Sequence, residues 1–145
     1  HNFITSFLVG NYYCPLKTAL ISDGWEVKSD RSIKTHEDLS VYKKSIDLVE
    51  AIYKLTRDYP SDEKFGLISQ MRRCAVSVPS NISEGFGRKS KKEIVQFLYI
   101  SSGSLSELKT QVEISKRLGF ISNSSLIVKI DEIKKMLFGL IKSLK

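Results

Sequence analysis

A row of polar side chains near the middle of the chain offers the functional groups that chemistry would need. At steps of three and four residues the row includes Gln70, Arg73, Ser77, Asn81 and Glu84. Side chains at these steps share one face of a helix. A carboxylate, a guanidinium and an amide on one face could bind a ligand or act in catalysis. They could instead form a hydrogen-bonded network that sets the register of packed helices or a contact between subunits.

A second, shorter polar row lies further along the chain, at Ser104, Glu107 and Gln111. If the two segments form antiparallel helices, Arg73 would come near Glu107 and the two would form a half-buried ion pair. We interpret both rows together as a structural polar network. A ligand-binding or catalytic pocket is kept as the alternative.

The densest positive charge follows directly after the first row, at residues 88–92, which read Arg-Lys-Ser-Lys-Lys. If the chain is an up-down helical bundle, this loop shares one end with the start of the first helix and the end of the last. The predicted phosphate-binding cluster is Lys43, Lys44, Arg88, Lys89, Lys91, Lys92, Lys142 and Lys145. Such a cluster suits RNA or DNA phosphates, and a solvated loop is the alternative. Because Phe86 is the one aromatic residue beside the run, base stacking is weakly supported.

Other chemistries find little support in the sequence. The histidines, His1 and His36, lie outside the predicted helices, so neither a general base for a nucleophile nor a di-iron site in a bundle is expected. Cys14 and Cys74 lie far apart and match no zinc spacing. The glycine pair at residues 85–87 follows a helix instead of linking a strand to a helix, so it is not a phosphate-binding loop. We therefore expect no catalytic residues, no metal, no cofactor and no enzymatic activity.

Hydrophobic periodicity predicts four helices that would position these residues, at about 39–58, 62–86, 91–118 and from 126 onward. The clearest core seam is in the fourth helix, at Leu126, Ile130, Ile133, Leu137, Leu140 and Leu144. In the third helix the predicted inward positions are Ile94, Phe97, Leu98, Ser101, Leu105, Leu108, Val112 and Ser115. In the first helix they are Tyr42, Ile46, Val49 and Tyr53, widened by Val41, Leu48, Ile52 and Leu55.

The helix ends carry recognisable signals. Ser61 is the predicted N-cap of the second helix, and Gly85 and Gly87 are expected to close it in the left-handed conformation. Pro79 lies inside that helix, and unbroken apolar spacing across it favours a kink over a break. Ser90 and Glu93 form a capping box for the third helix, which Gly119 ends.

Composition sets the broad class. The 145 residues are 41% hydrophobic and 27% charged, and no apolar run is long enough to span a membrane. Residues 1–37 are charge-balanced, so the whole net charge of +7 lies in residues 38–145. We therefore expect a helical bundle at 38–145, preceded by a weakly ordered extension at 1–37. Reduced thiols and the lack of a signal-peptide pattern favour a cytoplasmic location.

Specific motifs in residues 39–144 resemble a known family. They are Leu39-Ser-Val-Tyr-Lys-Lys-Ser, the Gln-x-x-Arg…Ser-x-Pro-x-Asn-Ile-x-Glu-Gly pattern at 70–85, and Gly-Ser-Leu-x-Glu-Leu at 103–108. They are similar to the bacterial four-helix-bundle proteins encoded in 23S rRNA intervening sequences, a family related to retroelement accessory proteins. The resemblance implies an all-α, antiparallel up-down-up-down four-helix bundle and a ring-like homo-oligomer, a pentamer, with no established enzymatic activity.

Charge and resemblance together favour a non-enzymatic bundle that binds RNA or DNA through the basic cluster. The alternative is a protein-interaction scaffold, or an accessory subunit of a nucleic-acid enzyme, with a protein partner. An enzyme that uses the region of Arg73, Asn81 and Glu107 is the third and weakest hypothesis.

Overall fold

The computed structural model describes residues 35–122 and 125–145, and within these ranges all regular structure is helical. Four α-helices are present there: α1 (Ser40–Leu55), α2 (Leu67–Phe86), α3 (Lys91–Arg117) and α4 (Ser125–Leu144). Short 3-10 turns cover His36–Asp38, Thr56–Asp58 and Ser61–Lys64. The predicted all-α class is confirmed. The predicted extension at residues 1–37 lies, as far as residue 34, outside the described residues.

Side-chain contacts show that the helices run antiparallel. Ser101 of α3 is hydrogen-bonded to Val78 of α2, whereas Ser115, later on α3, is hydrogen-bonded to Met71, which comes earlier on α2. On the next pair, Lys109 of α3 contacts Asp131 of α4, whereas Tyr99 contacts Lys145. Opposite trends along neighbouring helices mean opposite chain directions.

α1 and α2 follow the same rule. Thr56, just after the end of α1, accepts a hydrogen bond at 2.9 Å from Arg72 in the first half of α2. Tyr42 at the start of α1 lines a cleft with Gly87 at the end of α2. The predicted up-down-up-down four-helix bundle is thereby confirmed.

The core consists mainly of aliphatic side chains from all four helices. On α4 the predicted seam is buried, except that Ile141 replaces Leu140 in the last turn. On α3 the prediction is confirmed from Leu98 to Ser115. The buried serines there are small enough for two backbones to approach closely, and Ser101 Oγ donates to the Val78 carbonyl across the interface at 3.0 Å.

The predicted core face of α1 is correct in part: Val41, Leu48 and Ile52 are buried, whereas two residues of the predicted central stripe are not. Ile46 is 45% exposed and Tyr53 is 43% exposed. The side chains that α1 buries are Val41, Ser45, Leu48 and Ile52. Because α1 has apolar residues on two adjacent faces, periodicity allowed two choices. Packing selected the face that carries Ser45, whose hydroxyl is satisfied by the Tyr42 carbonyl within the same helix.

At both ends of α2 the predicted capping differs from the structure. The segment after Ser61 forms a separate 3-10 turn, and α2 begins at Leu67, whose amide donates to Glu63 Oε2 at 2.9 Å. At the other end Gly87 has a right-handed conformation, with φ −76°, so it does not close the helix in the left-handed region. Gly85 lies inside α2, where a Cβ would be 2.9 Å from Phe97 Cβ. Its small size is needed for the close contact with α3.

Other local predictions are confirmed. α2 continues through Pro79 without a break. Ser90 caps α3, because its Oγ accepts the Glu93 amide at 3.2 Å and donates to the Glu93 carboxylate at 2.6 Å. Gly119 follows α3 with φ +77°, the left-handed value expected of a glycine after a helix. None of the helices in the described ranges is long and apolar enough to cross a membrane.

Candidate nucleic-acid interface

The basic loop between α2 and α3 is a short turn held by its own backbone. The amide of Arg88 donates to the Gly85 carbonyl at 3.0 Å, and the Ile94 amide donates to the Ser90 carbonyl at 3.1 Å. With the Ser90 cap, these bonds fix both helix ends that flank the loop. The side chains of Lys89, Lys91 and Lys92 therefore project from a defined backbone into solvent.

The loop contains one neutralised cation and three unpaired ones. Arg88 forms an ion pair with Glu84, and its guanidinium lies 5.0 Å from the centre of the Phe97 ring. Lys89, Lys91 and Lys92 are exposed and form no ion pair with any residue that the structure describes. Unpaired ammonium groups on a fixed turn can attract phosphate oxygens without first breaking an internal ion pair.

The other predicted cluster members are distributed along the bundle. Lys43 is exposed and follows Tyr42, which lies at the loop end of α1. Lys44 Nζ contacts Glu132 Oε1 of α4 at 2.5 Å, so its charge is partly neutralised. Lys142 is exposed, and Lys145 donates to the Tyr99 hydroxyl at 3.0 Å. Tyr99 lies about 10 Å along α3 from Lys92, so the lysines of the last turn of α4 extend the basic surface away from the loop.

The predicted polar network divides into an inner and an outer part. Inside, the Ser77 and Ser104 hydroxyls are 2.9 Å apart across the α2–α3 interface. Asn81 Nδ2 donates to the Ser77 carbonyl at 2.8 Å and to the Ser77 hydroxyl at 2.9 Å. These three side chains connect the helices as a structural network would.

The outer part faces solvent, and the Arg73–Glu107 ion pair that we predicted does not form. Arg73 is exposed and donates to Gln70 Oε1 at 2.8 Å. Glu107 accepts a hydrogen bond from Gln111 at 3.3 Å. Glu84 pairs with Arg88, as described above. Both exposed partners gain more from water and from neighbours on their own helix than from an ion pair across the interface.

Gln111, the last member of the polar row predicted on the third helix, is buried. Its Nε2 lies 3.4 Å from Cys74 Sγ, whereas its Oε1 is buried and has no hydrogen-bond partner in the described part of the chain. Burial, together with the nearby Glu107 carboxylate, raises the pKa of the Cys74 thiol to about 11. A thiol with that pKa is almost entirely protonated near pH 7, so Cys74 is a core residue and a poor nucleophile.

Two surface features escaped the sequence analysis. One is a cleft of about 680 Å³ between α1 and α2, lined by the apolar residues Ile46, Val76 and Pro79 and by the polar residues Ser80, Ser83, Glu84 and Arg88. A second cleft shares Val76 and is lined by Tyr53 and the 89% exposed Phe65. The other feature is a pair of exposed aromatic rings, Tyr99 on α3 and Phe138 on α4. The apolar residues among these were visible in the sequence, but periodicity alone assigned several of them to the core.

The fold and the exposed lysines define the class. It is a basic helical bundle whose second and third helices are joined by a loop with three lysines that form no ion pair among the described residues. The sequence profile of the family described as 23S rRNA-intervening sequence protein matches residues 37–139. The chain belongs to this family, as its motifs indicated.

One solved structure extends the comparison. It is a protein from Bacteroides thetaiotaomicron, described as being of unknown function and from the S23 ribosomal protein family. The two chains are 25% identical and superpose with a TM-score of 0.65 over 70% of this chain and 95% of the other. No curated protein matches the chain. The similarity supports the bundle and assigns no activity.

Proposed function

We propose that this protein is a non-enzymatic bundle that binds the phosphates of RNA or DNA through its basic loop. The observation that carries the proposal is the exposure of Lys89, Lys91 and Lys92 on a fixed turn with no ion-pair partner among the described residues. Lys43 and Lys142 add exposed charge. The net charge of +7 favours an anionic partner as well.

The family's description supports the same reading, since it refers to 23S rRNA intervening sequences. Bacterial rRNA is cytoplasmic, and a cytoplasmic location is part of the proposal. The binding we propose is mainly electrostatic. Affinity should therefore fall steeply with salt and depend little on base sequence.

The test changes the three loop lysines to Gln and measures the affinity for a structured RNA at several salt concentrations. Each lost phosphate contact should lower the slope of log K against log salt by roughly 0.7 to 0.9. The triple variant should therefore lose about two units of slope while its thermal unfolding stays unchanged. Filter binding or fluorescence anisotropy gives the affinity and its salt slope, and a separate thermal melt checks the fold.

A matched control places the same charge change at the opposite end of the bundle. Lys64, Lys116 and Lys129 are exposed and lie near the start of α2, the end of α3 and the start of α4. Their triple Gln variant should keep most of the affinity and slope. Equal losses in the two variants would mean that net charge alone, and not the loop, determines binding.

Self-association into a ring-like homo-oligomer is a further part of the proposal. A ring needs two different surfaces on each copy that fit one another. The α1–α2 cleft, with Ile46 and Val76 exposed, offers one partly apolar surface. Ile114 in the last turn of α3 and Leu118 directly after that helix offer another. Sedimentation of the Ile46→Glu variant tests this: loss of mass relative to wild type is expected, and an unchanged mass excludes the cleft as a self-contact.

The same cleft supports the second candidate function, a protein-interaction scaffold or accessory subunit. In that case a different protein would occupy the cleft, and its affinity would resist salt. Nuclease treatment before affinity purification separates the two candidates. Recovery of one stoichiometric protein that the Ile46→Glu variant fails to retain would favour the scaffold. Loss of all co-purifying macromolecules after nuclease treatment would favour nucleic-acid binding.

A further inference from the structure

An exposed aromatic pair with lysines around it lies on the α3–α4 face. Tyr99 and Phe138 are each 45% exposed, and their ring centres are 6.5 Å apart at an interplanar angle of 67°. Two large aromatic side chains from different helices thus meet at the surface. Buried aromatic pairs stabilise a core, whereas at this exposure much of both rings remains available to a ligand.

Cations surround the pair on both helices. Lys145 Nζ lies 5.4 Å from the centre of the Tyr99 ring and donates to its hydroxyl at 3.0 Å. Lys92 precedes Tyr99 by seven residues on α3, and Lys142 follows Phe138 by four on α4. Both spacings place the lysine on the same helix face as the ring. Lys92 and Lys142 are exposed, and neither forms an ion pair within the described ranges.

The backbone beside Tyr99 is also accessible. Gly103, one turn further along α3 on the same face, is exposed, and a Cβ built on it would meet nothing within 4 Å. No contact within the described bundle therefore requires a glycine there. A bare helix surface next to an exposed ring lets a flat group approach the ring from the side.

We propose that Tyr99 and Phe138 form a base-stacking platform, so that the preferred ligand is single-stranded nucleic acid with unpaired bases. This inference rests on the proposed phosphate binding and specifies its ligand. Aromatic rings interleaved with lysines are what a single strand requires, because its bases stack on the rings while the phosphates follow the cations. In a duplex the bases are stacked on one another and cannot reach the rings.

The charge of the face favours this ligand over a second copy of the chain. If a second copy of the chain bound to this face, it would bring its own basic surface, with a net charge of +7, against Lys92, Lys142 and Lys145. The acidic residues of the neighbouring turns are already engaged, Asp131 with Lys109 and Glu132 with Lys44. A polyanion relieves the repulsion that a copy would add.

The experiment uses the full chain and two labelled probes, a 20-nucleotide oligouridine and a 20-base-pair RNA duplex, at one salt concentration. The test variant is Tyr99→Leu with Phe138→Leu, which keeps apolar side chains and helix-forming residues. Its matched control is Tyr99→Phe with Phe138→Tyr, which keeps both rings. Wild type should bind the single strand more tightly than the duplex. The leucine variant should lose at least about tenfold in oligouridine affinity and change duplex affinity less than about twofold, and the ring-keeping control should match wild type.

Several outcomes would overturn the inference. If the leucine variant retains its oligouridine affinity while the loop-lysine variant loses affinity for both probes, the platform is excluded and phosphate binding stands. If wild type binds neither probe, both proposals fail. If the leucine variant sediments at a lower mass with its affinity unchanged, the face is a protein interface. Ultraviolet cross-linking of oligouridine to wild type gives an independent check, since adducts should map to Tyr99 or Phe138, and adducts elsewhere alone would exclude the platform.

Discussion

The hydroxyl of Ser77 on α2 lies 2.9 Å from the hydroxyl of Ser104 on α3, and Asn81 completes the arrangement by donating to Ser77. This relationship ties two helices at one register position, since sliding α3 by a single residue would separate the two hydroxyls. The polar row in the sequence thus contributes, at its centre, hydrogen bonds between α2 and α3.

Replacing Ser77 by Ala should destabilise the protein by about 1 kcal/mol, as should replacing Ser104, because each change removes the hydrogen bond that joins α2 to α3 here. The remaining hydroxyl keeps its other partner, which is Asn81 for Ser77 and the Ile100 carbonyl for Ser104. In the double variant the loss should be smaller than the sum of the two. Urea unfolding measures all three. Ser80→Ala is the control, because Ser80 is exposed and bonds only within its own helix, to the Val76 carbonyl. Strictly additive losses would mean that the two hydroxyls do not interact.

Two glycines in the helix interiors should respond to alanine in opposite directions. At Gly85 the added Cβ would lie 2.9 Å from Phe97 Cβ and 3.3 Å from the Ile94 carbonyl oxygen, so α2 and α3 would have to move apart. Gly85→Ala should cost about 1–3 kcal/mol. At Gly103 the Cβ meets nothing, so Gly103→Ala should stabilise the protein by about 1 kcal/mol through helix propensity. Thermal unfolding measures the stability of both variants, and a stability change of the same sign in the two would contradict the packing described.

Tyr59 is buried in the core, and burial raises the pKa of its hydroxyl, which the nearby Ser115 lowers in part. In the described part of the chain the hydroxyl has no partner within normal hydrogen-bond geometry. Its ring packs against Phe120, with centres 5.2 Å apart. Tyr59→Phe should keep that contact and remove a desolvated hydroxyl, so we expect the free energy of unfolding to rise by about 1 kcal/mol. Tyr53→Phe is the control, since Tyr53 is exposed and should change stability by less than about 0.5 kcal/mol. A loss of stability in Tyr59→Phe would show that the hydroxyl has a partner in solution.

The raised pKa of Cys74, about 11, predicts a loss of stability in alkaline solution. In the unfolded chain the thiol loses its proton above about pH 8.5, whereas in the folded protein it keeps the proton until about pH 11. Between these values the unfolded state binds fewer protons, so stability falls as pH rises. The urea midpoint of wild type should decrease more steeply between pH 8.5 and 10.5 than that of Cys74→Ala. Parallel curves would mean that the thiol titrates alike in both states.

The fourth helix was predictable almost to the residue, because the steps of four and three between its apolar residues define one dominant face, even though Val128 and Phe138 lie exposed outside it. Five of its six predicted core positions are buried, and the exception, Leu140, is adjacent to the Ile141 that replaces it. In the first helix the same method found the buried residues but centred the core face on the wrong ones. Val41, Leu48 and Ile52 compete there with Ile46 and Tyr53, and local periodicity contains no information about which neighbour each face will meet.

The candidate site shows the same division. The exposure of the loop lysines followed from the sequence, since a short run of charges between two helices has nowhere to be buried. The pairing of Lys44 with Glu132 did not, because it joins residues 88 positions apart. The aromatic pair of Tyr99 and Phe138 was likewise invisible, because the two rings lie in different helices and only packing brings them together.

By itself, the sequence determined the helices, their antiparallel order, the caps at Ser90 and Gly119 and the excess of positive charge, because these depend on local chemistry and short loops. The tertiary structure alone decided which face of α1 is buried, that Arg73 turns to Gln70 and away from Glu107, and that two aromatic rings meet beside Lys145. Those outcomes depend on the rotation and axial position of each helix against its neighbours, which are set by the packing of all four helices at once.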